Sequence, residues 1–160
     1  MRLAAGLCAL DLCCGDGYFT APMARLLAGE VYAVAIDPYM IAQARAAVAE
    51  QGAAVKGWLC ADACQVASLL PQQVDYVFIA NSLHGVPDQP GFIRMIRSVL
   101  KPGAILGVVN WHVLPREECL VLGAPRGPRT DMRLSPQGPE ALAVAQGFSC
   151  RTMLDLPPYP

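Results

Sequence analysis

ALDLCCGDGYFT, residues 9–20, opens as an apolar run, carries an acid inside that run, and ends in a turn marked by two glycines. The run from Leu7 to Cys13 reads as a strand buried on both faces. Asp11 stands inside it, where an apolar residue would be the bland choice. A buried carboxylate is costly unless it is paired or hydrogen-bonded, so its presence wants a reason. Gly15 and Gly17 permit a tight turn and close approach of a ligand to the backbone. The segment from Phe19 to Leu27 then reads as a helix, with Phe19, Met23, Leu26 and Leu27 on one face and Gly29 as its stop. Its first amide hydrogens and positive dipole end point at the glycine turn.

Outward from this unit the same alternation repeats. Val31 to Ile36 is a second strand, closed by Asp37-Pro38, and Tyr39 to Gln51 is a helix with Ile41, Ala44 and Val48 at helical spacing. Val55 to Cys60 is a third strand and Asp62 to Leu70 a short helix. Val74 to Ala80 is a strongly apolar fourth strand. Phe92, Ile96, Val99 and Leu100 mark another helix, ended by Lys101-Pro102-Gly103. Ala104 to Asn110 is the fifth strand, Leu114 to Pro136 a long loop, Glu140 to Ala145 a helix, and Ser149 to Leu156 a sixth strand. Such alternation predicts an α/β fold: a Rossmann-like, doubly wound, mostly parallel sheet of about six strands with helices on both faces. Residues 1–160 read as a single domain. The closing Pro157-Pro158-Tyr159-Pro160 offers no seventh strand, because proline supplies no ladder donor.

Composition narrows the function. The chain is 54% hydrophobic and only 16% charged, with a formal net charge of −1. No long basic block suggests a nucleic-acid footprint. No apolar stretch reaches the ~18 residues of a membrane helix. The opening MRLAAGLCALDLCC has the flavour of a signal peptide, but its apolar part runs into the first strand, so a cytoplasmic protein is expected. Seven cysteines contain no C-x-x-C pair, so no metal site is expected and most read as buried thiols.

In open parallel sheets, ligands bind outside the carboxyl ends of the strands. Asp37, at the second strand's end, is placed to accept the ribose hydroxyls of an adenosine. Asp62, at the third strand's end, is placed to meet an adenine amino group or to cap the following helix; the two roles can coexist. Together these segments resemble class I S-adenosylmethionine (SAM) dependent methyltransferases. ALDLCCGDGYFT is similar to the family's first motif. Val31 to Asp37, Ala61-Asp62-Ala63, VDYVFIANSLHGVPD and LKPGA follow in the family's order, over roughly residues 8 to 112.

The resemblance implies SAM as cofactor and an unidentified small-molecule acceptor. Asp11 and the turn through Cys13, Gly15 and Gly17 would hold the methionine end, and Asp37, followed by Pro38, the ribose. Met40 would pack on the adenine, with ordinary core packing as its other reading. Asp62 and the Ala63 amide would read the adenine edge, and Asn81 and Ser82 would contact the methionine part or the substrate. The family usually carries glycine where Cys13 stands, a lid segment before strand one, and a seventh antiparallel strand. Without that strand, an apolar sheet edge is left for homodimerisation.

Methyl transfer requires alignment, and a general base only where the acceptor arrives protonated. His84 and His112 each follow a strand end and are the candidates for base or substrate contact; a loop histidine bonded to backbone is the other reading. Tyr18 and Trp111 are candidates for pocket walls or packing. Arg116, Arg126, Arg129 and Arg133 in the long loop suit an acidic acceptor, or a solvated loop balanced by Glu117, Glu118 and Asp131. Two other classes compete. A dinucleotide oxidoreductase expects a third glycine where Thr20 stands and explains neither Asp11 nor Asp62. A non-catalytic SAM-fold module shares every binding feature and differs only in lacking methyl transfer.

Overall fold

The computed structural model describes residues 4–156, in two compact units. One holds the residues up to Ala80 together with Met95–Gly107; the other holds Asn81–Arg94 and the residues from Val108 onward.

The first unit is built on a sheet of five strands in the order β3-β2-β1-β4-β5. They are β1 (Ala9–Leu12), β2 (Val31–Ala35), β3 (Gly57–Cys60), β4 (Val74–Ala80) and β5 (Leu100–Val109). β1 pairs in parallel with both β2 and β4, with Asp11 opposite Ala33 and Phe78. β2 pairs in parallel with β3. Every residue of β1 and β2 is buried, as central strands covered on both faces must be.

The helices start and stop where local chemistry dictates. α1 (Thr20–Leu26) buries Ala21, Met23 and Ala24 in a cluster with Ala9, Leu27 and Val31, while Leu26 points to solvent, contrary to expectation. α2 (Pro38–Glu50) begins with Pro38, whose missing N–H has no partner to lose there, and Asp37 caps it. Its end is closed by Gly52 at φ +65 and by the Ala53 N–H donating to the Val48 carbonyl at 3.1 Å. The segment expected as one helix from Asp62 is a 3-10 turn followed by the single-turn α3 (Val66–Leu69). α4 (Gln89–Val99) buries Phe92, Ile93, Ile96 and Val99, a stripe at helical spacing. β5 follows it without a break and includes Lys101-Pro102-Gly103. A proline is tolerated there because β5 is the edge of the sheet.

The second unit corrects two expectations. The long loop contains a small antiparallel hairpin, β6 (Leu120–Val121) and β7 (Ala124–Pro125), turned by Leu122 at φ +53 and Gly123 at φ +76. After α5 (Gln137–Ala145), the segment from Ser149 to Leu156 forms no strand, so the main sheet has five strands rather than six. Arg151, Thr152 and Asp155 interrupt its apolar residues, and Met153 and Leu154 are left 52% and 73% exposed. It lacks the unbroken apolar run that rewards burial in β2, and it carries these three polar or charged residues where β1 and β4 each carry one acid. Pro157 to Pro160 lie outside the described residues. Among those described, no helix is long and apolar enough to cross a membrane.

Candidate functional site

Nine of the sequence-predicted site residues fall in the first unit, after the carboxyl ends of three adjacent strands or, for Asp11, within one of them. Asp11 is 2% exposed, and its Oδ2 accepts from the Thr20 hydroxyl at 2.6 Å. Thr20 opens α1, so this bond ties the strand below the glycine turn to the helix above it. Burial pushes the Asp11 pKa up to about 6, with the Thr20 hydroxyl opposing. Sequence reasoning misses Thr20, since nothing in a lone threonine signals its partner.

The turn itself is set by backbone. Cys13 has φ +65, the left-handed region that glycine occupies freely and other residues enter at a cost of about 1–2 kcal/mol. The cysteine thus accepts the conformation that the usual glycine provides. The Cys14 N–H donates to the Val34 carbonyl at 2.8 Å, fastening the turn to β2. Burial pushes the Cys14 thiol up to about 12. Gly15 (φ +54) is surrounded by open space, so only its backbone conformation favours glycine. Gly17 (φ +88) is doubly constrained: a Cβ there would stand 2.7 Å from the Cα of Ala44 in α2.

Asp37 and Asp62 are exposed, at the mouths of β2 and β3. Each caps the helical segment that begins just after it. Asp37 Oδ1 accepts from the Tyr39 N–H at 2.8 Å, and Asp62 Oδ1 from the Cys64 N–H at 2.9 Å. The capping role considered for Asp62 is therefore real, and a carboxylate with two oxygens retains capacity for a ligand. Pro38 is exposed beside Asp37. Met40 is half-buried against a cluster of Cys14, Ala33, Ala35, Ile41 and Ala44, and Ala63 is half-buried at the start of its 3-10 turn.

The other four residues lie in the second unit. Asn81, directly after β4, has φ +55, and its N–H donates to the Val109 carbonyl at 2.8 Å. Ser82 precedes the 3-10 turn Leu83–Gly85, which carries the half-buried His84. Burial, reinforced by the charge of Arg133, lowers the His84 pKa and favours a neutral imidazole. His112 Nε2 lies 3.4 Å from Asp155 Oδ1.

Arg133 departs from the solvated-loop reading. It is buried at 7% exposure, and its guanidinium is spent on the loop's own acceptors. It donates to the carbonyls of His112 (3.0 Å), Arg126 (3.0 Å) and Pro128 (3.2 Å), and to the Cys119 sulfur (2.8 Å). Its guanidinium carbon also sits 5.6 Å from the Trp111 ring centroid, which makes Trp111 a packing partner. Arg129 is paired with Asp131, and Arg116 Nε donates to the Gly127 carbonyl. Tyr18 is 68% exposed, edge-on to Phe19.

Residues 10–108, from β1 almost to the end of β5, match the model of a methyltransferase domain. The chain is 34% identical over 121 residues to a ubiquinone biosynthesis O-methyltransferase of Xanthomonas euvesicatoria, covering 75% of this chain and 50% of that protein. It is 33% identical over 108 residues to a demethylmenaquinone methyltransferase of Lactiplantibacillus plantarum, covering 66% of this chain and 46% of that one. The chain thus spans about half the length of the curated relatives it matches. Among solved structures, a SAM-dependent methyltransferase from Aquifex aeolicus superposes with a TM-score of 0.70 at 21% identity, covering 91% of this chain and 74% of that one. At that identity the likeness speaks for the fold. The sequence match, which takes in the acid-bearing first strand, the glycine turn and the strand ends beyond it, makes this chain a member of the methyltransferase-domain family.

Proposed function

We propose that the chain binds SAM at the carboxyl ends of β1, β2 and β3 and transfers its methyl group to a small-molecule acceptor. One observation carries the reading. The left-handed glycine turn, Asp37 and Asp62 follow three adjacent parallel strands, and the lack of a side chain at Gly17 lets the turn pack directly on Ala44 of α2, the helix that Asp37 caps. Loaded with SAM, the site would hold a methyl carbon made electrophilic by its sulfonium.

The chain's own residues bind and orient. Asp37 accepts the ribose hydroxyls, with Pro38 fixing the start of α2 beside it. Asp62 and the Ala63 N–H read the adenine edge, and Met40 packs on its face. The turn through Cys13, Gly15 and Gly17 holds the methionine end. Asp11, buried and bonded to Thr20, is a positioning residue that braces that turn. Asn81 and Ser82 contact the methionine part or the acceptor. His84, favoured as a neutral imidazole, takes the proton of an acceptor that arrives protonated; His112 is the second candidate. The proposal includes residues 1–160 as one domain, the cytoplasm as its compartment, and homodimerisation along the β5 edge.

Thermal-shift titration tests it. A ligand that binds only the folded state stabilises it by about 2.7 kcal/mol at a hundredfold excess over Kd. SAM and S-adenosylhomocysteine should raise Tm and NAD should not; a shift with NAD alone contradicts the reading. Methyl transfer to a panel of small acceptors then separates an enzyme from a binding module.

A further inference from the structure

Asp16 stands between Gly15 and Gly17 in the turn that leaves β1, and none of the contacts proposed above uses it. It is exposed, whereas Asp11 of the same segment is buried. Its Oδ1 accepts from the Tyr18 N–H at 3.3 Å, a long bond that asparagine could keep. There is room beside it: a Cβ on Gly15 would meet nothing within 4 Å.

The charge of Asp16 is not balanced by the protein. Among the described residues of the first unit, the ion pairs are Lys56–Glu30 and Lys101–Asp75. Glu30 and Lys56 immediately precede β2 and β3, and Asp75 and Lys101 are the second residues of β4 and β5, so both pairs sit at the starts of strands. Arg45 is engaged over the Trp58 ring. Asp16, Asp37 and Asp62 follow the ends of β1, β2 and β3, are exposed, and take part in no ion pair among the described residues. The ligand end of this sheet is therefore negative.

The two forms of the cofactor differ in charge. At neutral pH the ammonium and carboxylate of the methionine end cancel in S-adenosylhomocysteine, while SAM carries its sulfonium in addition. Methyl transfer breaks the S–CH3 bond, leaves the electron pair on sulfur, and so removes that positive charge. A carboxylate fixed in the turn attracts the charged form more than the neutral one.

We propose that Asp16 is a specificity-determining residue whose carboxylate favours the sulfonium form of the cofactor over the neutral thioether left after methyl transfer. This rests on the proposal that the glycine turn holds the methionine end, and adds to it a reason for the spent cofactor to leave. Asp37 does not discriminate in this way through its hydrogen bonds, since the ribose hydroxyls are the same in both forms.

The test is calorimetry on the full chain with three probes. SAM and its amine analogue sinefungin are the cationic ones, and S-adenosylhomocysteine is the neutral one. Asp16→Asn keeps the shape and an acceptor for Tyr18 but carries no charge. Its preference for the cationic probes over S-adenosylhomocysteine should fall about two- to fivefold from that of the parent, the size of an exposed charge pair. Raising salt from about 0.15 M to about 1 M shortens the screening length from about 8 Å to about 3 Å and should close that gap. Asp16→Glu restores the charge and should retain the preference; Asp16→Ser, also neutral, should lose it and replaces the asparagine form if that does not fold. An unchanged preference in a folded neutral variant, or a gap that salt does not close, overturns the proposal. So do equal losses for all three probes, which would place Asp16 on the ammonium that they share. If no probe binds the parent, the methyl-transfer reading fails and this proposal with it. If all bind and the preference does not move, only the role of Asp16 fails.

Discussion

Replacing Asp11 by Asn should stabilise the protein, and by an amount that depends on pH. Asp11 is 2% exposed, and the counterweight to its burial is the Thr20 hydroxyl at 2.6 Å. Its pKa rises from the ordinary 3.8 to about 6 in the fold, which corresponds to about 3 kcal/mol between the protonated and ionised forms. The folded state therefore holds this proton more tightly than the unfolded chain between about pH 4 and pH 6. Stability from this group is greatest at low pH and is lost as pH rises through that window. Asparagine keeps the shape and an acceptor for Thr20 but carries no charge. At pH 4, where the folded carboxyl is already protonated, Asp11→Asn and the parent should melt within a degree or two of each other. At pH 7 the variant should be more stable by about 3 kcal/mol, or about 6–12 °C in Tm for a chain of this size. Groups that titrate identically in both proteins cancel in the difference, so paired melting curves from pH 4 to 7.5 isolate the one carboxyl. A difference that stays flat with pH, or a variant that is less stable at pH 7 than at pH 4 relative to the parent, would mean that another group holds Asp11 ionised.

Two further substitutions probe the turn and its neighbour. Cys13→Gly should relieve the strain of φ +65, worth about 1–2 kcal/mol, against about 0.5–1 kcal/mol of added chain entropy in the unfolded state. The net expectation is a Tm rise of about 1–4 °C, and a fall would show that the Cys13 side chain contributes packing that outweighs its backbone. Asp37→Ala should weaken SAM binding by about 10- to 150-fold through loss of charge-assisted hydrogen bonds, and should lower stability by about 1 kcal/mol through loss of the α2 cap. Calorimetry and thermal melts read the two effects separately, and unchanged affinity would place the ribose elsewhere.

The parts legible in the sequence are those whose physics is local. β4 matches its expected bounds, Val74 to Ala80, because a mostly apolar, β-branched and aromatic run has one comfortable conformation. The glycine turn is legible because Gly15 and Gly17 stand where a strand gives way to a helix, and Asp37-Pro38 announces both a strand end and a helix start. The features that escape depend on distant partners. The Leu122-Gly123 turn lacks the Asn-Gly signature of tight hairpins, so β6 and β7 read as loop. Arg133 reads as solvated, and only the fold shows four acceptors converging on it. Ser149 to Leu156 reads as a strand from its flanking apolar residues, yet pairing needs a neighbour, and among the described residues none is there. The segment after Asp62 divides into a 3-10 turn, Ala63–Gln65, capped by Asp62, and the single turn of α3, a distinction that periodicity does not resolve.

The contact between Gly17 and Ala44 restricts how this site can drift in sequence. Position 17 already has the smallest residue there is, so enlargement at 44 cannot be relieved by shrinking its partner. Enlargement at 17 meets the α2 main chain, which no substitution removes. The two positions thus form a one-way lock: each can change only at the expense of the separation between the glycine turn and α2, the helix that Asp37 caps. A lineage retaining this packing inherits the spacing between the two anchoring points whether or not selection acts on the ligand. Conversely, a relative with a residue other than glycine at 17 must have shifted the turn or α2 at this contact. The spacing of the turn from α2 is then a better marker of a changed ligand than the identity of any single acid at the strand ends.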